Sequence, residues 1–102
     1  MFNFKQFLEF KNNFSIDTFG PNQKLQGVIN HIRKELVELE QKPDDLEEWI
    51  DVMLLAFDGA YRSGATPDQV ISMLQYKQDK NERRSWPNWR EVPDDQAIEH
   101  LK

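Results

Sequence analysis

Residues 22–62 read NQKLQGVINHIRKELVELEQKPDDLEEWIDVMLLAFDGAYR, and the apolar spacing in this stretch decides the fold. Over residues 22–41, apolar side chains recur every three or four positions, as in a helix packed on one side: Leu25, Ile29, Ile32, Leu36 and Leu39. A second helix is predicted from an N-cap at Asp44 or Asp45 to about Arg62, where Ser63-Gly64 ends it. Because Lys42-Pro43 and its neighbours form only a short connection, we expect the two helices to be antiparallel neighbours.

Two further helices are predicted outside this hairpin. One covers about residues 4–13, before Gly20-Pro21 breaks the chain. The other begins with a capping box in Thr66-Pro67-Asp68-Gln69 and continues to about Arg84. The tail is expected to be irregular, with at most a turn of helix after Pro93. No alternating strand pattern occurs, so the predicted fold is all-α, a small antiparallel bundle of about four helices.

Length and composition favour one small cytoplasmic domain spanning residues 1–102. The net charge of -5 argues against nucleic-acid binding over a broad basic surface, because such binding relies on neutralising many phosphates. The chain has no cysteine, which excludes disulfides and thiolate metal sites. Its longest apolar run, residues 52–57, is far shorter than the roughly 20 residues that span a bilayer. The N-terminus lacks the features of a secretory signal, so a cytoplasmic protein is expected (the host cytoplasm if it is viral).

Four carboxylates are the candidate metal ligands: Glu35 and Glu38 in the first helix of the hairpin, and Glu48 and Asp51 in the second. Residues three apart share one side of a helix, so each pair forms a clamp that antiparallel packing would bring against the other. Four oxygen donors suit Mg²⁺ or Mn²⁺, which in turn suit triphosphate substrates. With 18 acidic residues in the chain, however, the spacing alone favours a solvated acidic face.

The surroundings of Asp51 shift this balance toward a metal site. Asp51 lies within residues 49–57, which are apolar in nearly every direction around the helix, so we expect the helix to be buried on most sides. A buried carboxylate is normally paired with a cation or bound to a metal. Asp58, two turns further along the same helix, is also expected to need such a partner. A basic partner would satisfy either residue. Opposite Glu35 and Glu38, however, Asp51 would lie among like charges, which a divalent cation would neutralise.

A second set of polar residues, on the last helix, is a candidate phosphate-binding cluster: Lys77, Lys80, Asn81 and Arg84. Cations near a helix C-terminus also interact favourably with the helix dipole, and that explanation is preferred for the cluster taken alone. His31 lies one turn before Glu35 and is a candidate to contact the nucleobase or a phosphate of the substrate. A surface histidine without a function is equally consistent with its position. Walker loops, zinc-ligand spacing, di-iron motifs and EF-hand loops are all absent from the sequence.

The order Glu35-x-x-Glu38, Glu48-x-x-Asp51 and Lys80-Asn81-Glu82-Arg83-Arg84 resembles the MazG-like all-α nucleoside triphosphate pyrophosphohydrolases. It is similar in particular to the small, often phage-encoded dATP/dGTP diphosphohydrolase branch, MazZ. The short spacer between Glu38 and Glu48 agrees with this branch. The resemblance covers nearly the whole chain and rests on further stretches: Phe19-Gly20-Pro21, His31-Ile32-Arg33-Lys34-Glu35-Leu36, Asp45-Leu46-Glu47-Glu48-Trp49-Ile50-Asp51, Asp58-Gly59-Ala60 and Ile98-Glu99-His100.

The resemblance implies a reaction and a set of roles. The four carboxylates would bind two or more Mg²⁺ or Mn²⁺ ions, and water would attack the α-phosphorus of dGTP or dATP, releasing a monophosphate and pyrophosphate. The residues themselves, beside this implied reaction, make Glu38 the expected proton acceptor, the cluster on the last helix the group that would hold the β- and γ-phosphates, and His31 and Asp58 further substrate-binding residues. Related proteins form homodimers or homotetramers, which would suit a small bundle with an exposed apolar side.

Two alternatives stay open at this point. The chain would be a non-enzymatic helical interaction module if its acidic residues are merely solvated and its apolar excess is an interface. It would be a metal-dependent nucleotide phosphatase if the same carboxylates support the release of orthophosphate. The products and the effect of Mg²⁺ on stability distinguish these alternatives from a pyrophosphohydrolase.

Overall fold

The computed structural model describes residues 1–102 and contains four α-helices, one short 3₁₀ helix and no strand. The helices are α1 (Phe4–Phe19), α2 (Leu25–Gln41), α3 (Leu46–Arg62) and α4 (Pro67–Arg83), with the 3₁₀ helix at Trp89–Glu91. The prediction of an all-α fold with four helices is confirmed.

The first helix is longer than predicted, since α1 continues past Asn13 to Phe19. It ends at Gly20, which takes a left-handed φ of 89° and donates its backbone N–H to the carbonyl of Ile16. Glycine adopts this conformation without the steric cost that a Cβ would bring. The second helix starts later than predicted, at Leu25, because Lys24 is also left-handed, with a φ of 49°.

Local capping fixes the helices that follow. The Asp45 side chain accepts the backbone N–H of Glu47 and so identifies the N-cap of α3, while Gly64, with a φ of 110°, follows its end. At α4 the Gln69 side chain accepts from the backbone of Thr66 at 2.8 Å, and the Thr66 hydroxyl accepts from the backbone of Gln69 at 3.2 Å. The predicted capping box is therefore confirmed.

The C-terminal boundaries differ slightly from those predicted. Helix α4 ends at Arg83, one residue before the predicted Arg84. The only helical turn of the tail precedes Pro93 and does not follow it, because Asn88 caps that turn by accepting the backbone N–H of Arg90 at 3.0 Å. No helix is both long enough and apolar enough to cross a membrane.

The chain divides into two compact units, Met1–Ile71 and Ser72–Lys102. In the first unit α2 packs along α3, and α1 packs against α3 as well. The second unit holds the rest of α4 and the tail, where the backbone N–H of Leu101 donates to the carbonyl of Ser85 at 2.8 Å. The assignment of residues 1–102 to a single domain stays a prediction.

Few apolar side chains are buried within one chain: Leu8, Val28 and Leu39. The expectation that α3 is buried on most sides is wrong for the isolated chain, because α1 and α2 cover only part of its surface. An apolar stripe at helical spacing stays exposed on α3, and we call it the α3 stripe: Leu46, Trp49, Ile50 and Met53. On α2, Leu25, Ile29 and Leu36 are likewise exposed by more than a third.

Candidate metal and substrate site

Three of the four predicted carboxylates converge where α2 faces α3. One oxygen from each of Glu35, Glu38 and Glu48 lies within 4.8 Å of the others. Glu35 and Glu38 are one turn apart on α2, and the short connection to α3 returns the chain so that Glu48 faces them. Asp51 lies one turn beyond Glu48 and is not part of this 4.8 Å group. We call Glu35, Glu38 and Glu48 the carboxylate group.

Crowding of negative charge perturbs the carboxylate group. A side-chain hydrogen bond with Glu38 raises the pKa of Glu35, and desolvation and the charges of Glu38 and Asp51 raise it further. Desolvation is the main cause that raises the pKa of Glu48, followed by the charges of Glu38 and Asp51. Asp51 is therefore close enough to act electrostatically on both glutamates.

The unpaired oxygens of this group fit a bound cation. Glu35 Oε2 and Glu48 Oε2 are buried and have no hydrogen-bond partner, while Glu35 Oε1 lies 3.3 Å from His31 Nε2. Buried carboxylate oxygens without a donor are unfavourable, and so is the mutual repulsion of three acids. A divalent cation relieves both, and Mg²⁺ and Mn²⁺ prefer carboxylate oxygen ligands. The residues present thus fit the metal that their sequence pattern predicts.

A cavity of about 290 Å³ adjoins the carboxylate group, and we call it the large cavity. Its apolar walls come from α1 and α3: Phe14, Phe19, Leu54 and Leu55. Its polar lining comes from α1, α2 and α3: Lys11, Ser15, His31, Glu35, Asp51 and Asp58. The cavity therefore combines an apolar interior with the edge of the carboxylate group, as small-molecule sites commonly combine apolar walls with a few polar groups.

Asp58 is buried and fully engaged by neighbouring side chains. Its Oδ1 accepts the Ser15 hydroxyl at 2.6 Å, and its Oδ2 accepts Arg62 Nε at 2.9 Å. Arg62 is only 6% exposed and also donates to the backbone carbonyls of Ser15, Gly20 and Asn22. The basic partner considered for this carboxylate is therefore Arg62, one turn along the same helix.

The family model described as dATP/dGTP pyrophosphohydrolase matches residues 7–102. The chain belongs to this family. It is therefore a hydrolase acting on acid anhydrides, and the resemblance drawn from the sequence is confirmed. No curated protein and no solved structure matches the chain. As a dATP/dGTP pyrophosphohydrolase it requires a place for a triphosphate and a place for a purine base.

The predicted phosphate-binding residues lie in the second unit. Lys77 and Lys80 are on α4, and Arg84 directly follows that helix and donates to the Asn81 side chain at 3.1 Å. Spacings of three and four residues place Lys77, Lys80 and Asn81 on one side of the helix, and the hydrogen bond to Asn81 holds Arg84 next to them. Their approach to the carboxylate group stays a prediction. His31 is half-exposed and contacts Glu35, so it lies beside the group as expected.

The large cavity also contains residues that the sequence did not indicate: Lys11, Phe14, Ser15 and Phe19. The predicted end of α1 at Asn13 placed the last three of these residues outside a helix. Helical spacing therefore could not show that they share one side of α1. Lys11 and Ser15 are four residues apart on α1, and Asp58 and Arg62 are four apart on α3, so the sequence places each pair on one side of its helix but does not show that the two pairs meet.

Proposed function

We propose that this family member hydrolyses dGTP and dATP to the deoxynucleoside monophosphate and pyrophosphate with the help of Mg²⁺ or Mn²⁺. The observation that carries the metal dependence is the carboxylate group, in which two buried oxygens lack any donor. Glu35, Glu38, Glu48 and Asp51 would together hold two or more ions. The charge of Asp51 already acts on Glu35 and Glu48. When bound, the ions neutralise the triphosphate and lower the pKa of a coordinated water.

The side chains of this protein would bind and orient the reactants. Glu38 is exposed, so it is our candidate to take the proton from the attacking water. The water oxygen forms a bond to the α-phosphorus as the bond from that phosphorus to the α–β bridging oxygen breaks. The electron pair leaves with pyrophosphate, whose increasing negative charge would be stabilised by three cations and one amide: Lys77, Lys80, Arg84 and Asn81.

Two further residues have supporting roles in this proposal. His31, 3.3 Å from Glu35, holds that carboxylate and reaches the substrate from the edge of the large cavity. Asp58 lines the same cavity, but both its oxygens are occupied by Ser15 and Arg62. We therefore propose that Asp58 contributes to substrate binding by positioning its neighbours.

We further propose that the protein is a homodimer or homotetramer. The α3 stripe leaves four large apolar side chains exposed at positions i, i+3, i+4 and i+7, and Trp49 is 50% exposed. Exposed apolar surface of this kind marks interaction sites in soluble proteins. A second copy that packs along α3 would bury the stripe and complete the core that one chain leaves small.

The test is product analysis with each common NTP and dNTP in Mg²⁺ and in Mn²⁺. Monophosphate and pyrophosphate from dGTP and dATP, lost on chelation and in Glu48→Gln, are the expected result. Glu47→Gln is the matched control, because Glu47 is adjacent to Glu48 but lies outside the carboxylate group. Release of orthophosphate would indicate a phosphatase, and full activity of Glu48→Gln would refute the metal assignment.

A further inference from the structure

Lys11 has a largely buried side chain whose amine has no hydrogen-bond acceptor in the protein. Its side chain lines the large cavity and is only 12% exposed. The nearest carboxylate oxygen, Asp58 Oδ1, is 3.9 Å from Lys11 Nζ, which is beyond hydrogen-bond distance. That oxygen already accepts the Ser15 hydroxyl, and Ser15 in turn accepts from Arg62 at 2.8 Å. Lys11 is thus the group in this network whose N–H donors are free for a ligand.

Charge in the network favours an acceptor at Lys11. Asp58 is the single anion between two cations, and Arg62 binds it directly at 2.9 Å. Burial lowers the pKa of Lys11, with the charge of Asp58 opposing this effect and that of Arg62 adding to it. An amine carries N–H donors whether or not it is protonated, so its donor role does not depend on its charge state.

The α3 side of the cavity runs from Asp51, whose charge acts on Glu35 and Glu48, to Asp58, which lies beside Lys11. Asp51 and Asp58 are two turns apart on α3, about 10 Å along the helix axis. Leu54 and Leu55 lie between them and form an apolar wall. Phosphates held at the Asp51 end would leave the base beside these leucines, directed toward Lys11 at the Asp58 end.

Two aromatic rings of α1 also line the cavity. Phe14 and Phe19 meet edge to face, with centroids 6.0 Å apart, and both line the cavity. Both are also more than half exposed, so part of each ring is open to contact with a ligand. Any nucleobase can stack on an aromatic side chain, so these two rings do not discriminate between bases. Discrimination between bases therefore requires a hydrogen-bonding group, and the Lys11 amine is the free donor in the cavity.

We propose that Lys11 is a specificity-determining residue that donates a hydrogen bond to N7 of a purine held in the large cavity. The inference rests on the proposed function of the carboxylate group and extends it to the recognition of the base. N7 is an acceptor that adenine and guanine share, so one donor serves both substrates. Guanine presents the O6 acceptor beside N7, whereas adenine presents an amino donor there. Lys11 therefore favours dGTP over dATP.

The test removes the two partners of this hydrogen bond in turn. In the unaltered protein, kcat/KM for 7-deaza-dGTP, in which a C–H replaces N7, is expected to fall about 5- to 100-fold below that for dGTP. Lys11→Met keeps the length of the side chain but has no donor, and it should lose at least a similar factor on dGTP, with a smaller loss on 7-deaza-dGTP, which retains only the O6 acceptor. It should also reduce the preference for dGTP over dATP. Lys5→Met, at an exposed lysine of the same helix, should change none of these ratios.

Equal rates with dGTP and 7-deaza-dGTP in the unaltered protein would overturn the inference, and this comparison does not depend on how Lys11→Met folds. Equilibrium binding of dGMP and 7-deaza-dGMP, measured by calorimetry without metal, separates recognition of the base from hydrolysis. Tighter binding of dGMP that Lys11→Met abolishes, in a protein that releases no pyrophosphate, would support the role of Lys11 and refute the proposed reaction. Pyrophosphate release without discrimination at N7 would support the reaction and refute the role of Lys11.

Discussion

Asp58 and Arg62 form a buried ion pair whose contacts join three elements. Through Arg62, α3 holds the carbonyls of Gly20 and Asn22 in the α1–α2 connection, and through Ser15 it holds α1. Removal of one partner leaves the other charge buried without its counterion, which is strongly destabilising. We expect Asp58→Ala to lower the free energy of unfolding by about 3–5 kcal/mol, as measured by urea denaturation.

The exposed ion pair between Lys5 and Asp68 is the control for this prediction. Its N–O distance is 3.1 Å, but both side chains are at least half exposed. Surface pairs contribute about 0–1 kcal/mol, so Lys5→Met should change stability little. If Asp58→Ala and Lys5→Met changed the free energy of unfolding by equally small amounts, the burial of Asp58 would not make its interactions more stabilising than those of a surface ion pair.

The raised pKa of Glu48 predicts how stability varies with pH in the absence of metal. Below the ordinary pKa of 4.5, the group is protonated in both the folded and the unfolded chain. Above 4.5 the unfolded chain releases its proton first, so stability falls as pH rises through the higher pKa of the folded state. In EDTA at pH 7, Glu48→Gln should therefore melt at a higher temperature than the unaltered protein, with a flatter pH profile.

Added Mg²⁺ should reverse this order. Binding to the folded state raises stability by mass action, about 2.7 kcal/mol at a hundredfold excess over Kd, and Glu48→Gln should show a smaller rise. Thermal melting from pH 4.5 to 8, with and without Mg²⁺, measures both effects, and Glu47→Gln is the matched control. Identical profiles for the two variants would show that the crowding of charge around Glu48 is energetically unimportant.

At the scale of elements, the sequence predicted what local signals control. Apolar spacing located α2 and α3, and the pairs Glu35/Glu38 and Glu48/Asp51 followed from helix geometry and the short connection. The predicted end of α1 was wrong because no local signal ends a helix at Asn13. The helix ends at Gly20, seven residues later. The role of Lys11 required the docking of α1 on α3, and no spacing within one helix contains that information.

The capping box of α4 is a local device whose contribution can be measured alone. The Thr66 hydroxyl accepts the backbone N–H of Gln69, and an alanine there would leave that group without its protein partner. Thr66→Ala is expected to cost about 1 kcal/mol, as other N-cap truncations do. Denaturant titration measures this cost, and Thr66→Ser, which keeps the hydroxyl, should restore most of it. A loss in Thr66→Ser as large as in Thr66→Ala would contradict the capping role.

At the scale of the whole molecule, the small core within one chain and the α3 stripe call for the same explanation. Only three apolar side chains are buried, whereas four large ones are exposed side by side on a helix that also carries Glu48 and Asp51. An interface along α3 would stabilise the helix that presents half of the predicted metal ligands. Association and catalysis are therefore expected to be coupled through α3.

Ile50→Lys tests this coupling because it places a charge in the middle of the stripe. Burial of an unpaired ammonium at an apolar interface is unfavourable, so the variant should shift from oligomer to monomer at equal concentration. Size-exclusion chromatography with light scattering measures the mass of the assembly. The rate of pyrophosphate release should decrease as the oligomer dissociates, because α3 then loses the packing of the second copy. Phe10→Lys makes the same chemical change at an exposed position on α1 and should leave the mass unchanged. A monomeric unaltered protein with full activity would refute both the interface and its link to the site, whereas a dimer that only Phe10→Lys dissociates would move the interface to α1.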